Sequence, residues 1–428
     1  MILYVVKQGD TIYNIARRYG VSVQRIISDN GLARAQELVP GQALIILVPA
    51  ATYTVRPGDT LASIAARYGT TALALVQNNP TLVNSPFLIP GQSLALRFQY
   101  QKKREIALYG YAYPYIQQSV LLHALPFLTY LAIFSYGFTP DGELIGIDDQ
   151  RLINRAYEFR TAPVMVLSSI AEDGNFNSER AGLLFRNAVL QEKVLDNVVE
   201  VMRRKGYLGL DIDFEFIAPA DREGFLAFLE RATERMHENG FFINTDLAPK
   251  VSAAQKGILY ESHDYGAVGA ISDTVLLMTY EWGYTYGPPM AVAPLNRVRE
   301  VVEYAVTEIP AGKIFLGIPN YGYDWPLPFE RSTTRAVSIS NEYAVQLAAR
   351  YGAEILFDEA AQSPTFAYFT RAGVKHTVWF EDVRSIRAKF DLIDEFCLLG
   401  GGYWNIMRPF AQNWAYVNAA YALRKVVV

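Results

Sequence analysis

The sequence predicts an α/β protein: a parallel (β/α)8 TIM barrel with a small α+β insertion between strands 7 and 8, preceded by two βααβ modules. Three observations carry that reading. An N-terminal unit repeats at an offset of 49 residues, short apolar runs alternate with helical stretches from residue 105 onward, and one of those runs carries three carboxylates on a single face. The divisions that follow are 1–49, 50–98 and 99–428, with the insertion at 324–380.

The repeat comes first. "YVVKQGDTIYNIARRYGVSVQRIISDNGL" from Tyr4 aligns with "YTVRPGDTLASIAARYGTTALALVQNNPT" from Tyr53, and after one inserted residue "VPGQALIIL" matches "IPGQSLALR". Each copy reads as a strand, a Gly-Asp-Thr turn, two short helices, an Asn-containing loop, a Pro-Gly-Gln turn and a closing strand. Thr11 and Thr60 stand where helix N-caps belong, and Ile12, Ile15, Ala16 and Tyr19 share one face of the first helix. These units resemble LysM domains, which bind N-acetylglucosamine-containing glycans such as peptidoglycan and chitin. The resemblance implies a groove of Gly9, Asp10, Thr11, Ile12, Ile27, Asp29 and Asn30 in the first copy. In the second it implies Gly58, Asp59, Thr60, Leu61, Val76, Asn78 and Asn79. Turn formation alone is the competing explanation for the Gly, Asp and Asn residues. Two modules on one chain also imply avidity for a polymer.

The eight expected barrel strands are 105–110, 128–135, 163–170, 207–215, 241–248, 273–281, 313–322 and 398–406. Helical stretches such as "SERAGLLFRNAVLQEKVLDNVVEVMRRKG" and "DREGFLAFLERATERMHENG" separate them. A doubly wound sheet is the competing fold, but no glycine-rich phosphate loop announces one. The gap before the last strand is too long for a single crossover. It holds one helical pattern, "NEYAVQLAARYG", and β-like pieces "AEILFD", "TFAYFT" and "HTVWFE", which read as an insertion on the barrel rim.

Composition excludes several classes. Hydrophobic residues at 51% and charged residues at 19% describe a globular chain, and a net charge of −4 leaves no electrostatic footprint for nucleic acid. No run reaches the roughly 20 apolar residues of a membrane span. The start, "MILYVVKQGDT", shows no secretory signal. Four scattered histidines lack metal-ligand spacing, so neither a metal nor a cofactor is expected. The single Cys397 lies in the apolar run "DEFCLLGGG" and is expected to be a buried thiol. Twenty-eight tyrosines fit either stacking on sugars or a tyrosine-rich core.

The fourth strand, "YLGLDIDFEF" (207–216), is the informative one. Leu208, Leu210, Ile212, Phe214 and Phe216 alternate with Asp211, Asp213 and Glu215, so the acids share one face. Near the C-terminal mouth of a barrel that face is enclosed. Three crowded carboxyls must then share protons or find donors, and a carboxyl held protonated near neutrality is what a general acid needs.

"GLDIDFE" resembles the signature Asp-Gly-x-Asp-x-Asp-x-Glu of glycoside hydrolase family 18, with Gly209, Asp211, Asp213 and Glu215 fitting and Leu208 in place of the first Asp. "LMTYEWG" resembles the family's sixth-strand Met-x-Tyr-Asp, with Glu281 where Asp is usual. "GIPNYGYDW" and "GGGYWNI" resemble the seventh- and eighth-strand motifs. The resemblance implies a retaining, substrate-assisted mechanism. Glu215 would be the acid, Asp213 would support the substrate acetamide, Asp211 would share a proton with Asp213, and Tyr280 would hold the acetamide oxygen. Trp404 would form the sugar floor, with further contacts from Met278, Glu281, Trp282, Asn320, Tyr321 and Tyr111. The two modules, "YGYAYPY" and "HTVWFEDVRSI" are together similar to bacterial spore cortex-lytic N-acetylglucosaminidases. That likeness implies a peptidoglycan or chitin-like polymer as partner, a place at the spore coat/cortex boundary, and spore-coat proteins as candidate neighbours.

Overall fold

The protein is described by a computed structural model covering residues 1–32, 38–83, 87–171 and 174–426. Eight strands form the barrel: β1 Glu105–Ala112, β2 Tyr130–Phe138, β3 Ala162–Ser168, β4 Gly209–Asp213, β5 Phe242–Leu247, β6 Thr274–Leu277, β7 Ile314–Pro319 and β8 Gly400–Trp404. Neighbours pair in parallel around the ring, and β1 pairs with both β2 and β8, which closes it. All eight expected strands are present. Period-two alternation sends Leu210 and Ile212 outward against the helices and turns Asp211 and Asp213 inward. Around and below the acids the interior is filled by Ala107, Tyr109, Ala132, Val164, Val166, Leu276 and Phe315, so the barrel is a packed core and not a pore.

Several boundaries differ from the sequence reading. β4 ends at Asp213, so Glu215 stands on the loop above the strand. Phe216 does not join the apolar face: it is 39% exposed, with φ at +55° where the chain turns toward the 3-10 turn Pro219–Asp221. Likewise β6 ends at Leu277, leaving Met278 to Glu281 on the following loop. The long helical stretch is two helices, Ser178–Phe185 and Ala188–Lys205. The Asn187 side chain accepts the Val189 and Leu190 amides and starts the second. Cys397 is not buried: the chain turns through a positive φ of 54° after the helix Val383–Glu395, and the thiol is exposed. Tyrosines supply eight of the twelve largest fully buried side chains, so core packing accounts for much of their number.

The insertion is a five-stranded antiparallel sheet beginning at Gly322–Leu327, two residues before the expected start, and the helix Asn341–Tyr351 covers it. Its small core of Phe366, Tyr368, Val378 and Phe380 also takes in Val39 of the first module.

Each module pairs its first and last strands, Ile2–Val5 with Ala43–Ile46 and Pro49–Thr54 with Ser93–Phe98. Thr11 and Thr60 cap their helices as expected. The modules are docked on the barrel. Ala43, Ile45 and Leu47 are buried in the main core, and the helix Ala411–Ala420 holds both copies. Gln412 Nε2 donates to Asn30 Oδ1 at 3.0 Å and to the Ala43 carbonyl at 2.7 Å, while Asn418 Nδ2 donates to Asn78 Oδ1 at 2.9 Å. Arg25 joins the modules to each other, donating to the Asn78 carbonyl at 2.6 Å and lying over the Phe98 ring.

Candidate active site

The barrel register sets the depth of each functional group. Asn244 of β5 lies beside Asp211, so Asp246 stands level with Asp213 one layer nearer the mouth. Above them a cavity of about 240 Å³ is lined by Asp213, Glu215, Asp246, Met278, Tyr280, Glu281, Trp282 and Trp404, with Pro249, Leu259 and Tyr260 completing its wall.

Asp211 is fully buried and held by donors. Tyr109 and Tyr111 approach its Oδ2 at 3.1 and 2.8 Å, and Asn244 Nδ2 donates to Oδ1 at 2.8 Å. Burial pushes its carboxyl up to about 6 against those hydrogen bonds. Asp213 has less help. Its Oδ1 is buried without a partner, and burial, with the charges of Glu215 and Asp211, holds its carboxyl well above the usual range. Glu215 is pushed up to about 7 by burial and then by the charge of Glu281. Glu281 accepts from Tyr321 and Tyr323, whose hydrogen bonds oppose the upward push of burial on its own carboxyl.

This arrangement has two chemical capacities. A carboxyl that is half protonated near pH 7 can donate a proton and take one back. An inward carboxylate oxygen without a partner can accept a hydrogen bond from a bound amide.

Met278, Tyr280, Glu281, Trp282 and Trp404 all line the cavity. Tyr111 does not: it is buried beneath Trp404, edge-on at 5.8 Å between ring centres, and its hydroxyl is spent on the acids. Asn320 is buried too, its Nδ2 donating to the Asn405 and Arg408 carbonyls at 3.1 and 2.8 Å, so it ties down the loop after β8. Tyr321 is buried and donates its hydroxyl to Glu281, which lines the cavity. Leu208 lies one residue before β4, at the opposite end of the strand from the cavity, and is partly buried.

In the modules, Asn30 and Asn79 perform the same structural task. Each Nδ2 donates to a helix carbonyl and to the closing strand, and each Oδ1 accepts an amide from that strand. Asp29 is buried against Arg25. Asp10 and Asp59 fasten their turns by accepting from Tyr4 and Tyr53, both at 2.6 Å. Ile12 is buried in the first module's core, while Leu61, Ile27 and Val76 are partly buried. Gly9, Thr11, Gly58 and Thr60 are the exposed members of the expected grooves.

Three features escaped the sequence reading. Asp246 is a fifth acid in the site, beside Asp211, Asp213, Glu215 and Glu281, and its only signal was that Asn244 and Asp246 are spaced like Asp211 and Asp213. Tyr113 and Tyr115 stack at 5.3 Å and continue from Trp404, with Tyr113 6.0 Å from its ring, as an aromatic shelf at the mouth. His263 joins two loops of the site, accepting the Ala248 amide at Nδ1 (2.8 Å) and meeting the Phe214 carbonyl at Nε2 (3.1 Å). No group of His, Cys, Asp and Glu among the described residues could hold a metal ion, and no helix among them is long and apolar enough to cross a membrane.

A closed parallel barrel with a near-neutral carboxylic acid at its C-terminal mouth, set among sugar-sized aromatic faces, defines a glycoside hydrolase. The chain belongs to the glycosyl hydrolases family 18, whose family model matches residues 103–408, and the LysM domain model matches residues 4–47 and 53–97. It is 40% identical to a cortical fragment-lytic enzyme of Bacillus anthracis over 99% of both chains. It is also 40% identical to one of Bacillus subtilis (strain 168), over 98% of this chain and 97% of the other. The crystal structure of the Bacillus megaterium QM B1551 spore cortex-lytic enzyme SleL is similar with a TM-score of 0.84, at 38% identity over 99% of each chain. A chitinase from Chromobacterium violaceum ATCC 12472 shares the fold over 73% of this chain and 98% of its own, with a TM-score of 0.67 and 25% identity.

Proposed function

We propose that the protein is a spore peptidoglycan hydrolase of the N-acetylglucosaminidase type. It cleaves the β-1,4 bond after N-acetylglucosamine in cortex glycan during germination, with retention of configuration. The observation that carries the mechanism is the pairing of a near-neutral Glu215 with a buried Asp213 oxygen that lacks a partner. Glu215 protonates the glycosidic oxygen. The substrate's own acetamide oxygen attacks the anomeric carbon and forms an oxazolinium ion. Asp213 Oδ1 accepts the acetamide N–H and offsets the positive charge that develops there, which is worth most in a site so poor in water. Asp211 shares the proton load of Asp213, Tyr280 holds the acetamide oxygen in line, and Trp404 forms the floor under the sugar. Met278, Trp282 and Glu281 complete the wall. Glu215, now ionised, takes a proton from water as the ring opens.

The full-length likeness to cortical fragment-lytic enzymes supports cortex glycan as the polymer and the coat/cortex boundary as the place of action, with spore-coat proteins as neighbours. The modules hold the enzyme on that polymer through the exposed turns at Gly9–Thr11 and Gly58–Thr60. Because they are docked, they orient the barrel on the glycan as well as retaining it.

Glu215→Gln tests the chemistry. Hydrolysis is expected to fall by about two orders of magnitude or more, while polymer binding survives. Equal activity in variant and wild type would remove Glu215 as the acid. Mass spectrometry of products from spore cortex, beside chitin oligomers, reads the bond and the polymer; cleavage of chitin alone would replace cortex by chitin.

A further inference from the structure

Asp246 lies outside the motif that identifies the site, yet it stands among the reacting groups. Its Oδ1 is 2.7 Å from the Tyr111 hydroxyl and 3.1 Å from Asn244 Nδ2. The same Tyr111 hydroxyl is 2.8 Å from Asp211 Oδ2, and the same Asn244 nitrogen is 2.8 Å from Asp211 Oδ1. Two carboxyl groups therefore flank one tyrosine.

A phenol has a single hydrogen to donate. If Asp211 and Asp246 were both ionised, Tyr111 could satisfy one, and the other would set lone pairs against the phenol oxygen at hydrogen-bond distance. Among the described residues the groups that face Asp246 are Asp211 and Asp213 from β4, Glu215 above it, Tyr111 from β1, Tyr280 after β6 and Asn244 on its own strand, and none of these is a cation. The geometry therefore requires a carboxylic hydrogen: one acid donates to the Tyr111 oxygen while Tyr111 donates to the other. Burial and the charges of Asp211 and Asp213, which hold the Asp246 carboxyl well above its usual range, act in the same direction.

Of the two acids, Asp211 is sealed in the barrel at 0% exposure, whereas Asp246 lines the cavity. We propose that Asp246 and Tyr111 form a proton relay through which the cavity sets the ionisation of Asp211. The hydrogen on Asp246 Oδ1 passes to the Tyr111 oxygen as the Tyr111 hydrogen passes to Asp211 Oδ2. The reverse shift returns it. Two hydrogens each shift one step, two O–H bonds break and two form, the net transfer is one proton, and the tyrosine is neutral before and after. Asp246 and Tyr111 are thus positioning residues: they decide whether Asp211 can share a proton with Asp213 at the moment Asp213 must carry charge. The inference rests on the glycosidase reading.

The test is the pH dependence of kcat and KM on soluble N-acetylglucosamine oligosaccharides, using the full chain as wild type, Asp246→Asn, Tyr111→Phe and the double variant. Each single variant is expected to lower kcat about tenfold with KM within about twofold, and the double variant to be no worse than the worse single, as for groups that act as one unit. The acid limb of kcat separates the two. Asp246→Asn keeps a neutral group that can donate to the Tyr111 oxygen but cannot pass a proton on, so its limb stays in place while kcat falls. Tyr111→Phe removes a donor to the Asp211 carboxylate and shifts the limb to higher pH. Multiplicative losses in the double variant, an unmoved acid limb in Tyr111→Phe, or an effect on KM alone would overturn the relay. If Asp246→Asn does not fold, the limb of Tyr111→Phe decides by itself. Where the wild-type enzyme turns over soluble cortex fragments and not these oligosaccharides, the same four proteins are compared on the fragments; no turnover on either would instead remove the glycosidase reading, and the relay with it.

Discussion

Glu281 faces Glu215 closely enough that its charge is the second reason, after burial, for the elevated Glu215 carboxyl. Glu281 is itself pulled toward ionisation by hydrogen bonds from Tyr321 and Tyr323. A pair of tyrosines on the insertion side of the barrel thus helps to keep the candidate acid protonated. Replacing Glu281 by Gln leaves the shape and removes the charge, so the Glu215 pKa should fall. The alkaline limb of kcat then moves to lower pH by about half a unit or more, because an acid must be protonated to act. An alkaline limb that stays where it is would mean that Glu281 does not tune Glu215.

Trp404 lines the cavity and meets the rings of Tyr111, Tyr113 and Phe134 in T-shaped contacts. Trp404→Ala is expected to lower kcat/KM about a hundredfold, since it removes both the stacking surface and the packing that levels it. Trp404→Phe keeps part of each and should lose about tenfold. Steady-state kinetics on a soluble oligosaccharide separates the two, and equal losses would mean that packing alone is involved.

Sequence period and residue type reveal which side chains share a face, but not how deep they lie. The alternation around Asp211, Asp213 and Glu215 was legible because acids interrupt an apolar strand. Tyr111 of β1 and Tyr113, one residue past its end, are likewise two apart, yet the first is buried under Trp404 and the second reaches the mouth, a difference in depth that residue type does not encode. Asp246 stayed hidden because "FFINTDLA" reads as an ordinary half-polar strand until its register against β4 is known. The repeated Asn30 and Asn79 misled in the opposite direction. Both copies of the module need a carboxamide to tie the second helix to the closing strand, so repetition reports a folding requirement there.

His263 is buried between the loop that carries Glu215 and the exit of β5, and burial lowers its pKa from 6.5 to about 4. Between those values the unfolded chain binds a proton that the folded one refuses. The contribution is therefore complete above about pH 6.5 and is lost as pH falls toward 4, to a total of about 3 kcal/mol. Urea unfolding across that window should show the loss in wild type and a flatter pH dependence in His263→Gln. Parallel curves would mean that other groups set the acid sensitivity.

Deleting residues 1–98 tests whether the docked modules belong to the barrel's own stability. Ala43, Ile45 and Leu47 are at most 2% exposed and pack into the main core. Gln412 and Asn418 would lose partners in both modules. Each large apolar side chain taken from that contact costs about 1.5–3 kcal/mol, and each buried polar group left without a partner costs about 1–3 kcal/mol. The truncated barrel should therefore melt at a lower temperature and aggregate more readily, so that its turnover of short soluble substrates falls along with its retention on insoluble glycan. Exposed-turn changes such as Thr11→Ala with Thr60→Ala should cost only about 1 kcal/mol of capping at each helix and leave turnover intact. A truncated barrel that melts with the full chain would show that the interface adds nothing to the fold.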